Sequence, residues 1–249
     1  MKKISIVIPV YNEEKNILIT TEKILSILNN QLYSYDYEII FTDNNSKDNT
    51  QELIKNLCKE NPKIKYVRFK KNLEYDKSVL EAYKHSTGDA TIVIDCDLQD
   101  PPELIVEFVE NWKKGYDLVY GLVRSRKENF IINFLRRCFY YIMNINSLFN
   151  YPKNAHDFRL IDKSIKDQLI NIDSLFPYMR GLTFSLSKNS IGIEYDRKLR
   201  EIGKSKLGLY NSFTYAANAL IEETFILPSA LRKTSLFMVV SLIFFTIIN

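Results

Sequence analysis

The sequence lacks the glycine-rich loops that hold phosphates in dinucleotide-binding and P-loop proteins, since neither GxGxxG nor GxxxxGK[ST] occurs in it. Its three cysteines, Cys58, Cys96 and Cys138, are widely spaced, and no CxxC pair or Cys/His cluster marks a zinc site. This usage is typical of a reducing, cytoplasmic compartment. The net charge of +4 is too small to indicate nucleic-acid binding, because acidic and basic residues alternate along most of the chain.

The two ends of the chain differ in character. The N-terminal apolar run is interrupted by Pro9 and is too short for a signal peptide, so it predicts a first strand. Residues 234–249 contain no charged side chain, and Arg232 and Lys233 directly precede them. A membrane span needs about 20 apolar residues. The run is interpreted as the start of a transmembrane helix, with a buried helix as the alternative, and the basic pair predicts that the preceding domain is cytoplasmic.

Apolar runs of strand length alternate with segments of helical spacing over the first half of the chain. Strands are predicted at 4–9, 37–42, 64–69, 90–94 and 117–120, and helices at 13–28, 48–59, 78–85 and 103–113. The less regular second half predicts helices at 130–148, 178–186 and 208–227, and strands at 157–161 and 191–195. The alternation predicts an α/β, doubly wound and mostly parallel sheet with helices on both faces.

Polar clusters follow three of these predicted strands at the point where each strand ends. The clusters are Pro9-Val10-Tyr11-Asn12-Glu13, Thr42-Asp43-Asn44 and Asp95-Cys96-Asp97. In such sheets ligands bind outside the carboxyl ends of the strands, at a switch point in strand order. The three clusters are therefore predicted to line one ligand site.

The third cluster has the spacing of a metal site. Carboxylates at i and i+2 can converge on one Mg²⁺ or Mn²⁺, which takes one or two carboxylates together with substrate phosphates. Asp95 and Asp97, with Gln99 as a third oxygen ligand, form such a set. An Asp-x-Asp pair by itself also fits a solvated turn. Cys96 alternates with the carboxylates, and its side chain is therefore predicted to face the core.

Five segments, in this order and spacing, resemble the family 2 glycosyltransferases. They are VIPVYNEEKNI, DNNSKDNT, DCDLQDPPEL, DFRLID and REIGKSKLGLYN, and the similarity runs from about Ile4 to Arg232. The DCDLQDPPEL string is characteristic of the polyprenyl-phosphate glycosyltransferases within that family. The resemblance implies a GT-A-like fold that transfers a sugar from a nucleotide-diphosphate sugar to a polyprenyl phosphate, with inversion at the anomeric carbon.

The resemblance also implies roles for particular residues. Asp95, Asp97 and Gln99 are expected to bind Mg²⁺ or Mn²⁺ at the diphosphate. The nucleotide-sugar site is expected to comprise Pro9, Tyr11, Glu13, Asp43, Asp95, Cys96 and Ser205. Arg200, Gly203, Ser205 and Lys206 match a mobile basic loop that closes over the diphosphate. The predicted catalytic residues are Asp97, Asp157, Arg200 and Lys206.

The expected role of Asp157 depends on the acceptor. A lipid phosphate is already ionised near neutral pH, so Asp157 would orient the acceptor or stabilise charge, whereas a hydroxyl acceptor requires Asp157 as the base. Arg124, Arg126, Arg136 and Arg137 are predicted to bind the acceptor phosphate, because several of them lie among aromatic residues; the alternative is a solvated charged face.

Three departures from the family pattern bear on the site. The second strand usually ends Asp-Asp-Gly-Ser, whereas this chain has Asp43-Asn44-Asn45-Ser46. His156 replaces a glycine, and either narrows the acceptor pocket or is an ordinary loop histidine. The segment LEYDKSVLEAY is bulkier and more charged than its family counterpart, so the family does not predict the sugar.

The sequence thus predicts three regions: a GT-A-like catalytic domain (1–207), amphipathic juxtamembrane helices (208–233) and the start of a transmembrane helix (234–249). The predicted protein is a cell-membrane glycosyltransferase with a cytoplasmic catalytic domain, whose partners are a nucleotide sugar, a polyprenyl phosphate and the membrane, without nucleic acid. A homo-oligomer is among the arrangements that the sequence allows. The alternatives are a peripheral transferase that acts on a glycan hydroxyl and a non-catalytic nucleotide-sugar-binding membrane subunit.

Overall fold

A computed structural model describes residues 1–73, 75–124, 141, 152, 154–172 and 177–198. With the exception of Tyr141, they belong to one compact unit, Met1–Lys127 with Pro152–Lys206. The predicted helix at 130–148 and the predicted membrane-associated segments at 208–233 and 234–249 lie outside the described residues. Within the described ranges, none of the helices has the length and apolar character needed to span a bilayer.

Strands and helices alternate along the described chain. The strands are β1 (Lys3–Val10), β2 (Asp36–Asp43), β3 (Ile64–Arg68), β4 (Ala90–Val93), β5 (Leu118–Val123), β6 (Ala155–Asp162) and β7 (Ser190–Tyr195). The helices are α1 (Ile17–Asn30), α2 (Thr50–Glu60), α3 (Tyr75–His85), α4 (Leu104–Lys113), α5 (Lys163–Leu169) and α6 (Met179–Leu186). Each element predicted within these ranges is present with shifted ends, and α5 was not predicted.

The strands form one seven-stranded sheet in the order β3-β2-β1-β4-β6-β5-β7. Neighbouring strands are parallel except at β6, which runs antiparallel to both β4 and β5. The prediction of a doubly wound, mostly parallel sheet is confirmed. Because β1, β2 and β4 are mutually parallel, the turns that follow them lie at one edge of the sheet, and the strand order changes direction between β1 and β4.

The sheet is buried on both faces, which explains why its central strands are apolar along their whole length. Ile6 and Ile8 of β1 pack in one core cluster with residues of α1, α2 and α4. Val7, between them, packs on the other face with residues of α3, α5 and α6. This alternation is the two-residue period of a strand.

A buried carboxylate ties the strands together at the opposite, amino edge. Glu38 accepts hydrogen bonds from Ser5 Oγ at 2.6 Å and from Thr87 N at 2.7 Å, and its Oε2 lies 2.6 Å from Lys65 Nζ. Burial opposes its ionisation, but these hydrogen bonds lower the pKa of Glu38 from its ordinary value of 4.5 to about 2. Gly88 donates to Ser5 Oγ, and a Cβ there would lie only 2.6 Å from that oxygen.

Candidate active site

The turns after β1 and β2 are held together by hydrogen bonds. Asn12 N donates to Ser46 Oγ at 2.9 Å, and Lys47 N donates to Asn12 Oδ1 at 2.7 Å. Glu13 N donates to Thr50 Oγ1 at 2.8 Å. Asn12 adopts a φ of 53°, a left-handed conformation that asparagine tolerates better than most residues. The predicted nucleoside-binding segment from Pro9 to Glu13 is thereby fixed against the end of β2.

Asp43 ends β2 and is fully buried. Its Oδ1 accepts from Ser46 N at 2.8 Å, and its Oδ2 accepts from Tyr66 OH at 2.6 Å. Burial and the Asp43 carboxylate raise the pKa of Tyr66, which keeps that hydroxyl a donor. Asp43 therefore shapes the turn that borders the site, and its direct contact with a nucleoside stays a prediction.

The next two residues explain how this chain departs from the family pattern. Asn44 Nδ2 donates to Leu73 O at 3.0 Å, and Leu73 N donates to Asn44 Oδ1 at 2.7 Å. A carboxylate at this position could accept the second bond but could not donate the first. Asn45, which stands where the family has glycine, adopts a φ of 66°. An amide at position 44 therefore makes both hydrogen bonds, and asparagine at position 45 tolerates a left-handed conformation that glycine also adopts.

Asp95 follows β4 directly and is engaged from two sides. Tyr75 OH donates to its Oδ1 at 2.9 Å, while Arg197 Nη2 lies 3.8 Å from its Oδ2. Burial and the nearby charges of Asp100 and Asp97 raise the pKa of Asp95 to about 7. Burial and the charges of Asp95 and Asp157 also hold the pKa of Tyr75 well above its ordinary value. The Tyr75 hydroxyl thus remains a donor to a crowded carboxylate.

The chain turns sharply after Asp95. Asp97 Oδ1 accepts from Gln99 N at 3.1 Å, and Leu98 between them has a φ of 57°, which is unusual for a leucine. Cys96 is 2% exposed and lies in the core, as its alternation with the carboxylates predicted. Its thiol is therefore turned into the protein, and its predicted part in nucleotide-sugar binding would have to come from its backbone.

Gln99 joins this turn to the chain that leaves β7. Its Nε2 donates to Lys198 O at 3.1 Å, and its backbone carbonyl accepts from Lys198 N at 3.0 Å. The predicted metal ligation by Gln99 stays a prediction. The same contacts anchor the strand exit that leads toward the predicted basic loop, whose residues Arg200, Gly203, Ser205 and Lys206 lie outside the described residues.

Asp100 is a buried anchor and not part of the candidate metal site. The Tyr195 hydroxyl and Arg197 Nε, at 3.1 Å, donate to its Oδ1. His156 Nδ1 lies 3.4 Å from its Oδ2. Burial raises the pKa of Asp100 despite Arg197 and Tyr195. His156 is a buried residue of β6, so the interpretation as an ordinary loop histidine is wrong, and a narrowing of the acceptor pocket stays a prediction.

The carboxylates of Asp95 and Asp97, in the turn after β4, suit a divalent cation whose remaining ligands come from the substrate. Asp95 and Asp97 are both only partly buried, and they lie two residues apart in the same turn. Burial, together with the charges of Asp100 and Asp97, raises the pKa of Asp95. Within the described ranges, no group of three or more His, Cys, Asp or Glu side chains is placed to hold a metal by itself. Mg²⁺ and Mn²⁺ sites of one or two carboxylates are completed by water and phosphate oxygens. The residues present therefore fit such an ion.

Asp157 lies near the start of β6 between two arginines. Arg180 Nη2 donates to its Oδ2 at 2.7 Å, and Arg159 Nη2 donates to its Oδ1 at 2.8 Å. Burial would raise the pKa of Asp157, but the two guanidinium groups hold it well below its ordinary range. Arg159 also donates to the Met179 and His156 carbonyls, which joins β6 to α6. Asp157 is therefore an ionised, weakly basic carboxylate at neutral pH.

The predicted acceptor-phosphate residues are described only in part. Arg124 is 57% exposed, and its guanidinium lies 3.3 Å from Glu194 and 3.5 Å from Asp196. Pairs this exposed contribute little to stability and separate easily. Arg126, Arg136 and Arg137 lie outside the described residues. The prediction that these arginines bind a phosphate is untested.

The structure adds site residues that sequence reasoning missed or left undecided. Tyr75 and Arg197 contact Asp95 from positions far along the chain, and the sequence indicated only that the segment around Tyr75 is unusually bulky. The segment around Arg180 matches a family segment near the acceptor side, and a structural role for Arg180 was equally open from the sequence. The structure shows that Arg180 contacts Asp157, and its acceptor role stays a prediction. Long-range pairing of this kind leaves no local sequence signal.

Similar proteins place the chain in a family. The model of Glycosyl transferase family 2 matches residues 5–170. The glycosyltransferase YkcC of Bacillus subtilis is 33% identical over 206 residues, which cover 82% of this chain and 63% of that protein. The bactoprenol glucosyl transferase of Shigella phage SfX is 30% identical over 222 residues, covering 88% of this chain and 71% of that protein. The chain thus spans roughly two thirds of these relatives.

A solved structure shows the same fold. The chain resembles glucosyl-3-phosphoglycerate synthase from Mycobacterium tuberculosis, solved with Mn²⁺, UDP-glucose and phosphoglyceric acid, with a TM-score of 0.57 and 17% identity. The match covers 88% of this chain and 79% of that one. The family match extends over more than half of the sequence and includes the turns after β1, β2 and β4 and the start of β6. This chain therefore belongs to glycosyl transferase family 2.

Proposed function

We propose that this chain carries the catalytic domain of an inverting, metal-dependent glycosyltransferase that moves a sugar from a nucleotide-diphosphate sugar to a polyprenyl phosphate. The reaction takes place at the cytoplasmic face of the cell membrane. The observation that carries the acceptor assignment is the position of Asp157 between Arg159 and Arg180.

That arrangement suits an acceptor that is already ionised. A general base needs a pKa near the working pH, whereas two arginines hold the pKa of Asp157 well below its ordinary range. One carboxylate beside two guanidinium groups also leaves a net positive charge, which attracts an anion. A phosphate oxygen needs no deprotonation before it attacks, so Arg180 can bind it and balance its charge while Asp157 holds the Arg180 side chain in place.

On the donor side, Asp95 and Asp97 are the residues that would hold the cation. A divalent ion at this position supplies positive charge to the diphosphate leaving group. The turns after β1 and β2 hold the nucleoside, and Arg200 and Lys206 add charge to the diphosphate. Attack from the side of Asp157, opposite the diphosphate, inverts the anomeric carbon.

A relative supports a lipid acceptor, and the sequence of this chain supports a membrane location. The phage relative is by its name a bactoprenol glucosyl transferase. In this chain the uncharged run at 234–249 follows directly on the basic pair Arg232-Lys233. A membrane-attached catalytic domain is the arrangement that gives a soluble nucleotide sugar and a lipid phosphate access to one site.

Two other functions make different demands on the same residues. A glycan hydroxyl acceptor would require a base, and the low pKa of Asp157 disfavours that role. A non-catalytic subunit that binds nucleotide sugars would not need an intact catalytic set, yet Asp95, Asp97 and Asp157 are all present. Both alternatives therefore fit less well than transfer to a phosphate.

The test is transfer by the full-length protein with Mn²⁺, a panel of radiolabelled nucleotide sugars and undecaprenyl phosphate. The expected result is label that enters the organic phase with one donor and stays there after washing. Undecaprenol, the same lipid with a hydroxyl in place of the phosphate, is the matched acceptor control and should remain unlabelled.

Other results would overturn the proposal. Equal labelling of undecaprenol, or label only on water-soluble glycan, would establish a hydroxyl acceptor. Thermal stabilisation by a nucleotide sugar without transfer to either lipid would favour the binding subunit.

A further inference from the structure

Tyr75 is the first residue of α3, and its hydroxyl reaches the candidate metal site from a different element. The hydroxyl donates to Asp95 Oδ1 at 2.9 Å. Arg197 Nη2 lies 3.8 Å from the other oxygen, Oδ2. The Asp95 carboxylate is therefore held at both oxygens, by a neutral donor and by a cation from the strand exit after β7.

The ring of Tyr75 is held by packing. It lies against the core cluster formed on the face of the sheet that carries α3, in which Val79 and Tyr83 of the same helix are buried. Because packing already fixes the ring, the hydroxyl keeps its position, and little further side-chain entropy is lost when a metal ion binds. The contact with Asp95 is thus built into the fold and is not a chance surface contact.

A phenol is chemically suited to orient a carboxylate that binds a cation. Ligating carboxylates are commonly hydrogen-bonded by neighbouring groups, and loss of such a partner weakens metal binding about 10- to 100-fold. Arg197 already places one positive charge near Oδ2 of Asp95, and a second cation in place of Tyr75 would compete further with the metal ion. The tyrosine hydroxyl fixes one oxygen and leaves the negative charge in place.

We propose that Tyr75 is a positioning residue for the metal and diphosphate site, and that its hydroxyl holds Asp95 in the orientation that binds the divalent cation. This inference rests on the proposed function, since it assigns Tyr75 to the same site. The competing explanation is that the hydroxyl only satisfies a partly buried polar group. The two explanations differ in what they predict for metal affinity.

The test compares wild type, Tyr75→Phe and Tyr120→Phe as full-length proteins. Binding of Mn²⁺ is titrated by electron paramagnetic resonance, first with the metal alone and then with UDP or GDP. Tyr120→Phe is the matched control, because Tyr120 is also an aromatic residue of the same core cluster, and within the described contacts its ring packs on Phe184 with no carboxylate partner. Each substitution removes one hydroxyl and keeps the ring, so both variants should fold.

The expected result is that Tyr75→Phe weakens Mn²⁺ binding about tenfold or more, while Tyr120→Phe leaves it unchanged. The melting temperatures of all three proteins should be similar. Transfer by Tyr75→Phe should be restored by excess Mn²⁺, because the defect lies in metal affinity. A purely structural role would lower the melting temperature without this rescue.

The outcomes separate this inference from the function on which it rests. If wild type binds Mn²⁺ and Tyr75→Phe binds it equally well, the role of Tyr75 is wrong while the metal site stands. If wild type binds no Mn²⁺ under any of the three conditions, the metal site itself is wrong, and the role of Tyr75 with it.

Discussion

Arg180 donates to both carboxylate oxygens of Asp157, through Nη2 to Oδ2 at 2.7 Å and through Nε to Oδ1 at 3.3 Å. This forked contact joins the start of β6 to α6, and Arg159 adds a third bond to the same carboxylate. Asp157 is in consequence held in one orientation and ionised. The contact therefore connects the stability of the domain with the charge at the proposed acceptor site.

Arg180→Gln should lower the free energy of unfolding by about 2–4 kcal/mol at pH 7, because it leaves a partly buried carboxylate with Arg159 as its remaining guanidinium partner. The pKa of Asp157 is depressed in the folded protein, so its contribution is complete above the unfolded pKa of about 4 and decreases as the pH falls toward the folded pKa. The difference in free energy of unfolding between Arg180→Gln and wild type should therefore be constant from pH 6 to 8 and shrink below about pH 4. Urea unfolding at several pH values measures it.

Arg124→Gln is the control for that experiment. Arg124 also pairs with two carboxylates, but it is 57% exposed, so its loss should cost less than about 1 kcal/mol. A cost for Arg180→Gln no larger than for Arg124→Gln would contradict the importance of the forked contact.

Asp97→Ala should reduce sugar transfer about 100-fold or more while the protein remains folded. A divalent ion supplies several kcal/mol of charge stabilisation, and Asp97 is one of the two carboxylates assigned to hold it. Transfer is measured at saturating nucleotide sugar, and folding by circular dichroism. Glu103→Ala, an exposed carboxylate just beyond the same turn, should keep wild-type transfer. Near wild-type transfer by Asp97→Ala would show that the metal assignment is wrong.

Asn44→Asp should destabilise the protein by about 1–3 kcal/mol, although it restores the residue usual in the family. A carboxylate cannot donate to the Leu73 carbonyl and places a negative charge beside it. Urea unfolding at pH 7 measures the change. Asn72→Asp, an exposed amide in the same connection, should have little effect. Equal stability of Asn44→Asp and wild type would mean that the bond to Leu73 contributes nothing.

Glu38→Gln should destabilise the protein by about 3 kcal/mol at pH 7, in proportion to the lowered pKa of Glu38. Because that pKa falls from 4.5 to about 2, the contribution is complete above pH 4.5 and is lost as the pH falls through 2. The variant and wild type should therefore converge in acid. Asp36→Asn, which breaks an exposed ion pair with Lys63, is the control, and its free energy of unfolding should stay close to that of wild type at any pH. A pH-independent difference for Glu38→Gln would contradict the linkage.

Local residue patterns in the sequence predicted most of the strands and helices. The apolar run before Pro9 and the polar turn after it predicted β1, the site turn and α1, because strand and helix periods are local properties. The position of Asp95 at the end of β4 followed in the same way. The short helix α5 was missed, and the antiparallel direction of β6 was not predicted, because its pairing with β4 and β5 depends on packing between distant segments.

By itself the sequence determined the order of the elements, the edge of the sheet at which polar residues collect, and the family. The sequence also separated Asp95 and Asp97 from Asp100, but only tertiary structure decided which residues hold Asp100. Asp95 and Asp97 stay at the site, whereas Asp100 is taken into the core by Tyr195 and Arg197. Tertiary structure also brought two arginines into contact with Asp157. It likewise brought Tyr75 into contact with Asp95. The physical reason is that charge, burial and pKa depend on neighbours in space, which residue spacing along the chain does not specify.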